Sequence, residues 1–180
     1  MTPIRFSAAL LSHPDFPAPE MEAVEAAGVL ADTGLHLDYT LRGRLSAFLF
    51  PAPEQELDAE RLWAHSCCEV FLATTGSPAY REYNFSSSGQ WAVFDFSGYR
   101  QRVASPPLPM PRMHWQSTPA VLNLRLDLPA AALPAAPLRL ALAVVLETAE
   151  GRLAYHALQH PPGSPDFHHH SGFTLDLAPT

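Results

Sequence analysis

Glu69, Glu82, Asp95, Asn84, Tyr80 and Trp91 all lie in one stretch, LWAHSCCEVFLATTGSPAYREYNFSSSGQWAVFDFSGYR, from Leu62 to Arg100. Carboxylates and an amide can satisfy sugar hydroxyls, while aromatic rings cover the C–H faces of a pyranose. Gathered on one surface, these side chains have the chemistry of carbohydrate recognition. Arg100, Tyr80 and the more distant His168 are rim candidates around Glu69, Glu82, Asn84 and Trp91. Everything then turns on whether the elements that carry them present them together.

The stretch reads as three strands joined by two turn-rich breaks. In an extended chain successive side chains face opposite ways. From Cys67 to Leu72 the apolar set is Cys68, Val70 and Leu72, with Glu69 and Phe71 opposite. From Ala79 to Phe85, Tyr83 and Phe85 share a face with Arg81, and Tyr80, Glu82 and Asn84 take the other. From Gln90 to Phe96, Ala92, Phe94 and Phe96 form the apolar face, leaving Trp91, Val93 and Asp95 opposite. If the strands are neighbours, this reading gathers Glu69, Tyr80, Glu82, Asn84, Trp91 and Asp95 on the non-core face. A plain solvated sheet face with cross-strand pairs would show the same alternation.

Elsewhere the pattern is also one of short strands. Arg5 to Leu11 reads as a first strand, ended by Pro14, Pro17 and Pro19, and Glu20 to Leu30 as a short helical turn or an irregular strand. Leu35 to Phe50 alternates around Arg42-Gly43-Arg44, a hairpin signal. Pro51 to Glu60 reads as a loop with room for a turn of helix. The proline-rich run from Val103 to Pro119 reads as a long surface loop or edge cover, because proline cannot donate to a ladder. Strands resume at Ala120 to Leu128, Leu138 to Thr148, Leu153 to Leu158 and Phe173 to Leu177, with a tight turn at Glu150-Gly151. The sum is an all-β antiparallel β-sandwich of about 9–11 strands, of immunoglobulin-like or jelly-roll type, spanning residues 1–180 as one domain.

Composition narrows the function. The chain of 180 residues carries a net charge of -7 and no lysine, so it lacks the clustered cations that nucleic-acid binding draws on. No apolar run approaches the roughly 18 residues of a membrane helix, and the amino-terminal residues lack the pattern of an export signal, which places the protein in the cytoplasm. Cys67 and Cys68 are adjacent, about 3.8 Å apart at Cα and short of disulfide reach, so they read as free thiols.

The strand Glu69-Val70-Phe71-Leu72, the Tyr80-x-Glu82-x-Asn84 strand, the serine-glycine turn before Trp91 and the later DFHHHSGFTLDL together resemble bacterial DOMON-like proteins, relatives of family 9 carbohydrate-binding modules. The resemblance covers Leu62 to Arg100, is weaker over Leu35 to Pro51, and recurs at Asp166 to Leu177. It implies a β-sandwich with a binding role, since members of the wider superfamily bind sugars or haem.

Three other readings stay open. Haem needs axial ligands such as Met110, Met113, His114 or the His168-His169-His170 run, and without a Cys-x-x-Cys-His motif it would be held non-covalently. An extended chain would project Asp166, His168 and His170 together as a weak metal-site candidate. The proline-rich loop around Trp115 is a candidate protein-interaction surface, and Trp63 reads as a packed boundary residue. Catalysis is the weaker expectation: hydrolase elbows, phosphate loops and zincin helices are absent, although Glu69 and Glu82 would suit a glycosidase pair if about 5–9 Å apart. The leading expectation is a non-catalytic domain for a small carbohydrate-like ligand.

Overall fold

The computed structural model describes residues 2–178. Its strands are, in chain order, β1 Ile4–Ala9, β2 Leu11–Ser12, β3 Met21–Ala31, β4 Gly34–Gly43, β5 Cys67–Thr74, β6 Tyr80–Ser86 and β7 Trp91–Phe96. They continue as β8 Arg102–Val103, β9 Arg112–Ser117, β10 Val121–Pro129, β11 Leu138–Glu147, β12 Leu153–Ala157 and β13 Leu175–Leu177. The first sheet runs β1-β3-β4-β10-β9, and the second runs β2-β12-β11-β5-β6-β7-β8 with β13 paired to β11. Every pairing is antiparallel, as the all-β reading expects.

Alternating leucines close the sandwich. Leu35, Leu37, Tyr39 and Leu41 of β4 and Leu122, Leu124, Leu126 and Leu128 of β10 share one core with Val70, Leu72, Tyr83, Phe85, Leu140 and Leu142 of the second sheet. Each fully buried side chain of this size contributes about 1.5–3 kcal/mol of hydrophobic stabilisation. One ion pair enters this interior. Arg81 of β6 meets both carboxylate oxygens of Asp95 on β7, at 2.8 and 3.2 Å, and also donates to the carbonyl of Ala132.

The second sheet differs from the first in being covered on both faces. All seven residues of β6 are buried. Behind it, a second apolar cluster joins Leu62, Phe71, Tyr80, Phe94, Phe96 and Phe173. The cover is made by two segments with little regular structure: a 3₁₀ turn over Ala59–Ala64 and the chain after β12, which holds another over His170–Gly172.

Two expectations about elements change, and for Glu20 to Leu30 the irregular-strand alternative holds. Leu35 to Phe50 is a single strand followed by a 3₁₀ turn at Leu45–Ala47, and the hairpin lies earlier, between β3 and β4. Gly43 is needed for close approach and not for a hairpin turn: its φ is +151°, and a Cβ there would stand 2.3 Å from the carbonyl of Glu20. Met21–Ala31 is a full strand whose irregularity is a register shift between Met21 and Ala23. The proline-rich run contains edge strand β9, whose prolines precede the ladder and leave Arg112–Ser117 free to pair with β10.

Candidate functional site

The pairing of β5, β6 and β7 sets three rows of side chains on the outer face of the second sheet. Phe71, Glu82 and Phe94 align in one row, Glu69, Asn84 and Ala92 in the next, and Ala73, Tyr80 and Phe96 in the third. Above the first two rows lies a cavity of about 420 Å³. Glu69, Glu82 and Phe71 contribute to its base, Phe94, Phe96, Tyr155 and Phe167 to its walls, and Trp63, Glu60, Arg100, Arg102 and His168 to its rim.

The sequence reading brings Glu69, Tyr80, Glu82 and Asn84 together correctly, but it misplaces two partners. Trp91 pairs with Phe85, lies near Tyr83 with a ring separation of 6.3 Å, and packs against the main core. Asp95 faces inward with Arg81. Both faces of β7 are covered, so hydrophobicity does not mark its inner side, and Ala92, Phe94 and Phe96 are the residues beside the acids. The rings of Phe94 and Phe96 stand at the cavity in place of Trp91.

Trp63, expected to be a packed boundary residue, is instead 47% exposed at the cavity, with its indole N–H donating to the Glu60 carbonyl. Arg102 of β8 also lines the cavity. Its guanidinium binds both oxygens of Glu60 at 2.6 and 3.1 Å and lies 4.2 Å from the centroid of the Phe94 ring. No local signal joins β8 to the 3₁₀ turn that supplies Glu60 and Trp63, because the link spans a long stretch of chain.

Glu69 is 2% exposed. Burial pushes its carboxyl well above the usual carboxylate range, and the charge of Glu82 adds to the effect. One oxygen, Oε1, accepts from the Cys67 thiol at 3.5 Å, and Oε2 has no hydrogen-bond donor among the described residues. Burial raises Glu82 as well, but the Asn84 amide donates to its Oε1 at 2.6 Å, and Arg100 and Arg102 favour the ionised form. Glu82 is therefore the first of the two to lose a proton.

His168 faces Glu82 from the later cover segment. Tyr80 Oη accepts the backbone N–H of Arg100 at 3.1 Å and shares a 2.8 Å hydrogen bond with His168 Nδ1, assigned with the tyrosine as donor. This network assigns the remaining imidazole proton to Nε2, which stands 3.8 Å from Glu82 Oε2, too far for a direct hydrogen bond. Burial pushes His168 down to about 4, so the ring is neutral near pH 7. Arg100, at φ 55°, is tied by its side chain to Asp166 at 2.9 Å, and Tyr99 donates to the other Asp166 oxygen at 2.7 Å.

These contacts redirect the metal candidates. Asp166 is engaged by Tyr99 and Arg100, His168 by Tyr80, and His170 lies beside the His169 ring, with centroids 4.5 Å apart. The segment turns instead of extending, so the three do not converge, and among the described residues no group of three or more His, Cys, Asp or Glu is placed to hold a metal ion. Met113, His114 and Trp115 lie on β9 of the first sheet, away from this cavity, and Met110 is 73% exposed.

A stability prediction follows from Glu69. An unfolded carboxyl ionises above its ordinary pKa while the folded one stays neutral, so the unfolded state binds fewer protons and stability falls as pH rises past that value. Glu69→Gln is expected to raise the melting temperature at pH 8 while changing it little at pH 4. Thermal melts across that range check this.

No protein-family model matches the sequence, and no curated protein matches it. Solved structures do share the fold. A protein of Bacteroides uniformis described as carbohydrate-binding superposes with a TM-score of 0.67 at 14% identity, over 93% of this chain and 84% of that one. A family 9 carbohydrate-binding module of Caldicellulosiruptor kristjanssonii in complex with glucose gives 0.54 at 9% identity, over 78% and 69%. Such a module from the same organism in complex with cellotriose gives 0.51 at 11%, over 86% and 75%. The chain thus has a β-sandwich fold seen in carbohydrate-binding modules. At these identities the likeness is one of fold. No helix among the described residues is long and apolar enough to cross a membrane.

Proposed function

We propose that this chain binds a small carbohydrate-like ligand in the cavity over Glu69 and Glu82. The observation that carries the reading is the juxtaposition, in one hollow of about 420 Å³, of two carboxyl groups with spare acceptor capacity, the Nε2–H of His168 and aromatic walls. Sugar recognition uses this mixture: hydroxyls bridge donors and acceptors, and C–H faces lie on rings. The 3.8 Å gap between His168 Nε2 and Glu82 Oε2 suits a hydroxyl that accepts from one and donates to the other. Arg100 contributes at the rim, whereas Asn84 and Tyr80 act by orienting Glu82 and His168. Trp63, exposed at the cavity, takes the stacking role expected of Trp91.

The fold neighbours support this reading, and the finer assignment to DOMON-like proteins in the cytoplasm is part of the same proposal, resting on the motifs between Leu62 and Arg100. Calorimetric titration with a panel of mono- and oligosaccharides tests it: folded protein that gives no heat with any of them overturns it. Trp63→Ala is expected to weaken binding of the best sugar about tenfold, in line with the loss of one stacked aromatic contact and its buried area. Titration of the variant measures the change.

A further inference from the structure

Resting on the reading that the cavity takes a sugar, we propose that it also interconverts the anomers of a bound reducing sugar, with Glu82 as base and Glu69 as acid. The placement of the two carboxyls carries this. Register sets Glu69 opposite Asn84 and Phe71 opposite Glu82, so the acids are diagonal neighbours on one face of an antiparallel pair, about 7–8 Å apart at Cα. Both side chains rise into the same cavity. Two acids on a single wall can reach two oxygens attached to one carbon. They are poorly placed to flank a glycosidic bond from opposite faces of the ring, as hydrolysis requires.

Recognition alone does not account for Glu69. The residue is only 2% exposed, it lines the cavity, and its Oε2 has no hydrogen-bond donor among the described residues. Glu82 is arranged differently: Asn84 occupies Oε1, and Oε2 is the oxygen that faces His168. Surroundings that separate the protonation of two neighbouring carboxyls define an acid and a base. Glu69, enclosed and beside a charge, keeps its proton; Glu82, supported by an amide and two arginines, gives its proton up first.

The step balances within the site. Glu82 Oε2 takes the proton of the anomeric hydroxyl, the O1–H electrons become the second bond of the C1 carbonyl, the C1–O5 bond breaks, and O5 receives the proton of Glu69. Rotation about C1–C2 turns the other face of the aldehyde toward O5. The reverse transfers then close the ring, return each proton to its owner and leave the opposite anomer. His168 is a positioning residue here, its Nε2–H held toward the substrate by Tyr80.

The test follows the approach to anomeric equilibrium of freshly dissolved α-anomers of glucose, galactose, mannose and xylose, by polarimetry and proton NMR in dilute buffer. A rate that rises in proportion to protein concentration is expected for at least one sugar that calorimetry shows to bind. Its pH profile should be bell-shaped, since one carboxyl must be ionised and the other protonated. Glu82→Gln and Glu69→Gln should each lose about 100-fold of the acceleration while retaining a cooperative melt. A sugar that binds yet equilibrates at the buffer rate overturns the anomer proposal and leaves the binding reading intact. Acceleration unchanged in both folded variants also overturns it, and an absence of binding by any sugar removes the binding reading and this proposal together.

Discussion

Arg81→Ala is expected to cost about 3–5 kcal/mol of folding stability, the range for breaking a buried ion pair by removing one partner. The side chains of Arg81 and Asp95 are only 11% and 16% exposed. Removing the guanidinium leaves the Asp95 carboxylate in the interior without its bidentate partner and withdraws one of two donors from the Ala132 carbonyl, the other being the Tyr83 hydroxyl at 2.7 Å. The loss is a large share of the roughly 5–15 kcal/mol that holds a typical domain folded. Urea unfolding checks it, and the expected result is a lower midpoint with little change in slope. The double variant Arg81→Met with Asp95→Leu should recover part of the loss, since apolar side chains of similar length need no counter-charge. Equal destabilisation of single and double variants would show that packing dominates at this site.

The second large effect is acid lability. Burial pushes both His156 and His168 down to about 4, from an ordinary histidine value of about 6.5. The folded chain holds both rings neutral, while the unfolded chain takes up protons as soon as pH drops below the ordinary value. The unfolded state then binds more protons, so stability is fully present above about 6.5 and is lost as pH falls toward 4. Each ring is expected to remove about 3 kcal/mol across that window. His156 is 4% exposed, and its Nδ1 lacks a partner, so nothing nearby compensates a charge there. Denaturant midpoints measured at intervals from pH 7 to 4 test this. His156→Leu should flatten the decline while leaving the pH 7 midpoint equal or higher. Glu69 acts in the opposite sense over the same window, because its carboxyl ionises in the unfolded chain above its ordinary value of about 4.3 while the folded one stays neutral, so the histidine decline is steepest in Glu69→Gln. A midpoint independent of pH in that variant would contradict the buried, neutral assignment of the histidines.

The acid and amide set was legible because Glu69, Tyr80, Glu82 and Asn84 are spaced in twos on strands that adjoin through short turns. Parity within a strand is local geometry, and for β5 and β6 an apolar set marks the inner face. The same logic fails on β7. Phe94 and Phe96 are apolar yet outward, and Asp95 is charged yet inward, because Arg81 neutralises it and a second apolar layer covers the outside. Only the ladder, which aligns Glu82 with Phe94, tells which set stands beside the acids.

Edge strand β9 was hidden for a related reason. Its residues alternate only between exposed and half-buried, and the prolines before it dominate the local signal. The 3₁₀ turn that carries Trp63 was expected as no more than a loop with room for a turn. Its place over the sheet is set by Leu62, buried in the outer apolar cluster with Phe71, Phe94 and Phe96, a contact that no local pattern announces.

Sequence by itself determined the all-β class, most strand positions, the net negative charge and the side-by-side spacing of the two glutamates. These are properties of short-range alternation and composition, set by which residues can tolerate water. Tertiary structure alone decided that the second sheet is buried on both sides, that Trp91 turns to the core and Trp63 to the cavity, and that His168 faces Glu82. Those outcomes depend on distant segments closing over one sheet, and the desolvation they impose on Glu69, Glu82 and His168 is what separates this hollow from an ordinary strand surface.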